Sequence, residues 1–457
     1  MPETPDLAAT ARSHTVGIIG GGIGGLIVAW ECAKVGMAVT VWDAATIGGM
    51  TRRVAVGGSN VDIAASTIER GAAVDEVLAA FGLTDQLVTA ATTSRWLMQR
   101  TPVALPASPA LGIPANPFTP DVTGVIGWGA AWRAYLDRLK PVLTIGNAES
   151  LGELVRQRMG AKICDKLVAP QTRAQLHLDP EDVLIDVALP ELNGALTRAG
   201  SLSGGVGLMD VTAPPLSLDA GLGALTSALR ARIEELGGVV HEHAPVSGVQ
   251  PTETGWAVTS IPANTDAVDE QSTETHVQHL VLATDARAAH ALLVPLLPSL
   301  PADVSAEQTV VVLAVTGVTG TRGAGLYARD ASDTVQRIDH VTAQWPHVAS
   351  DAGHDFFRVT LTGHGVGDAV ELAATAISEA YGASAVVVDA VVERFVRAQS
   401  RAARTHADRT SAIRTQISAL PQLDAVGAWV AGDSVRDVIT DAMATAEVIR
   451  RRALFSV

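Results

Sequence analysis

The sequence predicts an α/β fold built on a parallel sheet, on three observations. The stretch GIIGGGIGGLIVAWECAKVGMAVTVWDA, beginning at Gly17, passes from an apolar segment through a glycine-rich turn into an amphipathic segment and a second apolar one. Two further apolar segments, VLATDA from Val281 and GAWVAGDSV from Gly427, end in turn residues far downstream. Long stretches of different character separate these pieces, and 457 residues exceed what one ordinary hydrophobic core accommodates, so the sheet should gather strands from distant parts of the chain.

Thr15 to Ile19 is a short apolar run typical of a buried parallel strand. Leu26 to Val35 is apolar enough for its crossover helix, with Gly36 as the stop, and Met37 to Trp42 supplies the next strand. Between the first two elements Gly20, Gly22 and Gly25 match G-x-G-x-x-G, and Asp43 follows the second strand. Gly20 permits the tight turn, Gly22 lets a pyrophosphate approach the backbone, and Gly25 lets helix and strand pack closely. The helix start offers free N–H groups to phosphates, and Asp43 is placed to accept from ribose hydroxyls. A glycine pattern alone is equally a plain tight turn; strand, helix and acid together make it a dinucleotide fingerprint.

The residues after Asp43 narrow the dinucleotide. IGGMTRR brings Gly48 and Gly49, then Thr51, Arg52 and Arg53, and VDIAAST at Val61 to Thr67 reads as a strand. Ala283 and Thr284 follow one apolar strand, and Gly432 and Asp433 follow another. This three-part layout resembles FAD proteins, in which a late Gly-Asp pair holds the ribityl chain; as a bland alternative, Asp433 is a strand-end turn residue.

A formal charge of −15 argues against a nucleic-acid partner, whose phosphates need clustered Lys and Arg. The nearest basic cluster is Arg450 to Arg452, at the end of a helix whose dipole suits cations. Cys32 and Cys164 lie far apart without CxxC spacing, which suggests neither a disulfide framework nor a zinc site and fits a reducing cytoplasm. The opening MPETPDLAATARSH reads as a frayed arm, and no uninterrupted apolar run reaches the roughly 18 residues of a spanning helix, since Gly, Pro or charge breaks each candidate. An integral membrane anchor is therefore not expected, while peripheral membrane contact stays open; oligomeric state is not legible. HEH at His241 to His243 puts two imidazoles on one strand face but without further ligands, and His276 and His279 are no better placed, so no metal site is expected. Trp128 and Trp132, four apart, should form a packing stripe on one helix face.

Three regions follow. Residues 1–85, 220–299 and 400–457 make a Rossmann-like FAD-binding domain, and 86–219 a mainly helical insertion. Residues 300–399 make an inserted α+β substrate-binding domain, whose runs TVVVLAVTGV, HDFFRVTLTG and SAVVVDAVVERFV predict antiparallel strands. A helix from Asp368, as N-cap, to Tyr381 should separate the last two. The polar stretch Pro262 to His276 reads as a loop.

With these pieces in order the chain resembles the flavin-dependent protoporphyrinogen and bacterial coproporphyrinogen III oxidases, within the flavin amine oxidase superfamily. The resemblance runs nearly end to end, through GLTDQLV at Gly82, SRWLMQRTPVALP at Ser94, LGELVRQRMGAKICDKLVAPQTRAQLHLDPEDV at Leu151 and DAGLGALTSALRARI at Asp219. It implies oxidation of a porphyrinogen on FAD with dioxygen as acceptor, the cofactor supplying the redox chemistry and the protein supplying position. No catalytic side chain is implied. Arg95 falls where the family anchors a propionate, Arg173 in the segment lining the cavity, and Val246 where backbone meets adenine; Gly49, Thr51, Arg52, Ala64 and Val438 complete the implied flavin contacts. The pattern departs at Arg436 and Asp437, where relatives carry small or aromatic residues, at Ala64, where glycine is usual, and before Asp441, where no proline stands. Another flavin oxidase acting on an amine or polyene, and a non-catalytic FAD-binding paralogue, remain as alternatives.

Overall fold

A computed structural model describes residues 7–140, 149–210, 213–261, 272–348, 353–362 and 366–455. Thr15–Ile19 pairs in parallel with Ala38–Trp42 on one side and His279–Leu282 on the other, and Val239–His241 and Leu423–Ala425 close the two edges of a five-stranded parallel sheet. The predicted fold class is the observed one. Ile23–Ala33 is buried along its whole length, because it lies between the sheet and the helices Gly223–Glu235 and Val435–Phe455. A helix covered on all sides reads apolar all round, as LIVAWECA does. Its one buried acid, Glu31, is neutralised by Lys34 and Arg450.

The remaining arginines of the C-terminal cluster are also taken: Arg451 pairs with Glu447, and Arg452 with Asp424 across the sheet edge. Near the start, the expected frayed arm is corrected from residue 7 onward. Leu7–Arg12 is a helix against Val435–Phe455, with Ala11 buried.

The second layer is a seven-stranded sheet ordered Val386–Arg397, Ala306–Thr316, Asp355–Leu361, Val335–His340, Gly325–Tyr327, Trp96–Leu97, Val103–Ala104. The three apolar runs of residues 300–399 are its antiparallel strands. Its last two strands come from residues 96–104, so the stretch 86–219 sends a short hairpin into this sheet before turning helical. Helix Val366–Tyr381 covers the sheet with Ala369, Ala373 and Ile377, small or branched residues that fit against Val311, Leu313 and Phe357. It starts ahead of Asp368, which therefore lies in the first turn and not at the cap. The helices between Pro120 and Leu208 have a core of their own, centred on Val155, Ile163, Leu167 and Leu196.

Three other expectations change. The strand predicted at Val61 to Thr67 ends at Asp62, because it pairs with the short Arg53–Val56 across Gly57 and Gly58, both at positive φ. The stretch Pro262 to His276 is in part a strand, Thr273–Val277, paired with Trp256–Ser260; its residues 262–271 lie outside the described residues. HEH does not present one face either: the strand stops at His241, which stacks on Trp42, while His243 turns at φ 53°. Among the described residues no helix is long and apolar enough to cross a membrane.

Candidate functional site

A cleft of about 710 Å³ opens at the carboxyl ends of the parallel strands, where sheets of this kind bind ligands. Its floor is the glycine turn, and the three glycines have different surroundings. Gly20 adopts φ 109°, and a Cβ there would meet the Ala283 carbonyl oxygen at 2.4 Å. Gly25 faces away from the cleft, and its Cβ would meet the Gly20 carbonyl oxygen at 2.1 Å. Gly22, the N-cap of Ile23–Ala33, lines the cleft with nothing within 4 Å of where a Cβ would stand. The first helical amides have no intrahelical acceptor and carry the positive end of the helix dipole.

A second glycine turn faces the first. Gly48 at φ 111° and Gly49 at φ 52° lead into the turn Gly49–Thr51, and Gly48 bridges to Gly22. A Cβ at Gly49 would lie 3.5 Å from the Gly22 Cα, so the two backbones meet without side chains between them. Thr51 is buried, its hydroxyl donating to the Gly48 carbonyl. Arg52 lines the cleft, paired with Glu393 and lying over the Phe395 ring.

Asp43 braces the same corner. One carboxylate oxygen accepts from the Gly21 amide at 2.6 Å and the other from the Ala45 amide at 2.8 Å. A carboxylate has about four acceptor sites, so Asp43, which lines the cleft, keeps acceptor capacity beyond these two bonds. Beyond Asp43 the lining includes the apolar residues Ala44, Ala45, Pro245 and Val246. The Ala244 amide donates to the Asp43 carbonyl, which holds the Val246 segment against the end of the second strand.

The opposite end is built from late residues. Val438 and Trp429 line it and are buried, and Asp433 accepts from Arg397 at 3.0 Å. Gly432 and Asp433 follow the helical turn Ala428–Ala431, where a strand was expected. Gly432 is at φ 104° with its Cβ direction against Arg401, so it shapes the turn without lining the cleft. Ala64 does not line it either; the neighbouring Ala65 does.

The two implied substrate arginines lie elsewhere. Arg95 donates at 2.6 Å both to the Ala324 carbonyl and to Asp339, and it stacks over Tyr327. Arg173 pairs with Asp179. Neither lines the cleft. Asp339 also receives Arg337 and Arg358; burial alone would raise its pKa, but the three guanidinium groups together hold the carboxyl far below the usual carboxylate range. Sequence reasoning missed this cluster, since its members come from the strands Val335–His340 and Asp355–Leu361 and from Arg95, more than 200 residues earlier, and it missed Met50, Glu393 and Phe395 in the cleft, which no local pattern marks.

A second, polar cavity of about 230 Å³ is lined by Asp62, Ser66, Asp219, Trp345 and Arg358 among others. Burial pushes the Asp62 carboxyl up to about 6, against the pull of the Leu222 and Gly223 amides, Arg358 and Arg53. Both cysteines are buried and unpaired, and burial pushes each thiol up to about 12.

The comparisons agree with this geometry. A family profile described as an NAD(P)-binding Rossmann-like domain matches residues 18–81. Coproporphyrinogen III oxidase of Bacillus subtilis (strain 168) is 30% identical over 170 residues, which is 35% of this chain and 36% of that protein. The match thus spans about a third of the curated relative. A proposed protoporphyrinogen oxidase from Exiguobacterium sp. 255-15 superposes with a TM-score of 0.80 at 19% identity, covering 96% of this chain and 99% of the other. A double mutant of putrescine oxidase superposes with a TM-score of 0.61 at 14% identity, covering 95% and 99%. The chain thus has a mixed α/β fold with a Rossmann-like dinucleotide-binding domain, an architecture it shares with these flavin-oxidase-like structures.

Proposed function

We propose that the cleft holds FAD and that the protein is an oxidoreductase acting on a porphyrinogen, coproporphyrinogen III ahead of protoporphyrinogen IX, with dioxygen as acceptor, in the cytoplasm. The observation that carries this reading is the pair of facing glycine turns, Gly20–Gly22 and Gly48–Gly49, at one helix start within a cleft that continues from Val246 to Asp433. Where a Cβ would stand at Gly22 the space is empty, which suits a diphosphate lying on backbone amides. Residues 1–85, 220–299 and 400–457 would bind the flavin, and 86–219 with 300–399 would enclose the substrate. The segmental similarity to the Bacillus oxidase supports the porphyrinogen over an amine or polyene.

When bound, the flavin would accept a hydride from the reduced macrocycle and pass the electrons on. The chain's own contribution is placement. The helix start would fix the diphosphate, Asp43 the ribose, the apolar lining at Ala45 and Val246 the adenine, and Asp433, held by Arg397, the ribityl chain. Arg95 and Arg173, already paired with acids, favour a second reading, a flavin-binding paralogue that does not turn over porphyrinogens. Anaerobic addition of coproporphyrinogen III to the purified yellow protein separates these. Rapid bleaching of the flavin supports the oxidase, bleaching by amines alone points to an amine oxidase, and a spectrum that never bleaches supports the paralogue.

A further inference from the structure

The polar cavity of about 230 Å³ borders the cleft without sharing a lining residue with it. Arg52 and Ala65 line the cleft, while their chain neighbours Arg53 and Ser66 line the cavity. At the roughly 30 Å³ that a water molecule takes in the liquid, the cavity has room for about seven heavy atoms. Its wall carries more donors than the chain itself uses. Arg53 donates one N–H to the Ala220 carbonyl at 2.7 Å and pairs with no acid among the described residues. Ser217 is buried, and its hydroxyl has no hydrogen-bond partner among the described residues. The indole N–H of Trp345, also buried, has no acceptor. Buried donors are rarely left so, because each has given up its bonds to water.

The charges lean the same way. Arg358, buried in the cavity wall, donates to the Asp62 carbonyl and the Ser66 hydroxyl. Its acid partner Asp339 is shared with Arg95 and Arg337, so three guanidinium groups answer to one carboxylate. Of the two acids that line the cavity, Asp219 is exposed, and burial drives the Asp62 carboxyl toward its neutral form. Burial also holds the His347 imidazole below its usual pKa, against the pull of Asp219. Among the described residues no group of three His, Cys, Asp or Glu could hold a metal, so a metal cation has no ligand set here. Val61, Val341, Val348 and the Trp345 ring make the rest of the wall apolar.

We propose that this cavity binds a small carboxylate of about four to seven heavy atoms, its anionic end on the Arg53 guanidinium and its carbon skeleton against Trp345 and the valines. The planar fork of a guanidinium matches a carboxylate with two parallel N–H bonds. Inorganic phosphate is the poorer occupant, because its second charge would face Asp62 and Asp219 with Arg53 alone to balance it. The inference stands apart from the proposed oxidase activity.

The test is isothermal titration calorimetry of the full-length protein at constant ionic strength and about pH 7.5, with acetate, lactate, pyruvate and inorganic phosphate, each with and without saturating FAD. The expected result is saturable binding of one carboxylate per chain, indifferent to FAD and tighter than that of phosphate. Arg53→Gln should weaken it about tenfold or more, and Asp62→Asn, which removes a charge opposed to an anion, should strengthen it roughly threefold or more. Loss of fold lowers binding in any variant, so the opposite signs of the two effects separate the site from a structural role. Absence of binding by all three carboxylates would overturn the proposal, as would equal affinity in wild type and Arg53→Gln or weaker binding by Asp62→Asn. Displacement by FAD would place the carboxylate in the cleft, and tighter binding of phosphate would assign the cavity to that ion; either result overturns it too.

Discussion

Replacing Gly22 and Gly25 separately by alanine should split ligand binding from folding. At Gly25 the added Cβ would stand 2.1 Å from the Gly20 carbonyl oxygen and 2.9 Å from the Ala283 Cβ. Backbone cannot yield as a side-chain tip does, so Gly25→Ala should cost about 1–3 kcal/mol of stability, the range for overpacked sites. At Gly22 no atom lies within 4 Å of the added Cβ, and φ is −71°, which alanine adopts freely. The protein without ligand should therefore be as stable as wild type or slightly more so. The new methyl nevertheless stands in the cleft and would hold a diphosphate off the helix amides. Losing one or two charge-assisted hydrogen bonds at about 1.5–3 kcal/mol each raises Kd by roughly tenfold to somewhat over ten-thousandfold. Urea unfolding of the deflavinated protein and titration with FAD, followed by flavin fluorescence, measure the two effects independently. Unchanged FAD affinity in Gly22→Ala, or equal destabilisation by both substitutions, would refute the reasoning.

Asp43→Ala should weaken FAD retention and also loosen the turn, since the Gly21 and Ala45 amides both lose an acceptor; a variant that purifies fully loaded would show that the ribose contact is wrong. Arg95→Ala should lower the unfolding free energy by about 1–3 kcal/mol, because Asp339 keeps two of its three arginines. An unchanged urea midpoint with a raised KM would instead return Arg95 to substrate binding. Asp62→Asn should change the pH dependence of stability. With the folded pKa raised to about 6, wild type is stabilised below the unfolded value near 4 and loses that advantage as pH rises through 6. The gain of the asparagine variant over wild type should then grow by roughly 3 kcal/mol between about pH 4 and pH 6, and a gain independent of pH in urea titrations would contradict the buried charge.

What could be read from the sequence was what short segments decide for themselves. The turn at Gly20–Gly25 is legible because its positive φ, its close helix–strand approach and its free amides depend on neighbours a few residues away. The three apolar runs of residues 300–399 announced strands for the same reason, since alternation and β-branching are local properties. Helix ends and strand ends were less legible. Asp368 and Asp62 each mark a boundary that a partner strand or the start of a neighbouring helix shifts by a few residues.

The sequence by itself therefore determined the dinucleotide fingerprint and the fold class, through contacts between near neighbours. The tertiary structure alone decided that Arg95 answers to Asp339, some 240 residues away, that Asp433 is held by Arg397, and that Trp128 and Trp132 face water. Which acid an arginine reaches, and which side of an amphipathic helix is covered, depend on how distant layers pack, and a spacing of three or four residues gives both faces of a helix the same signature.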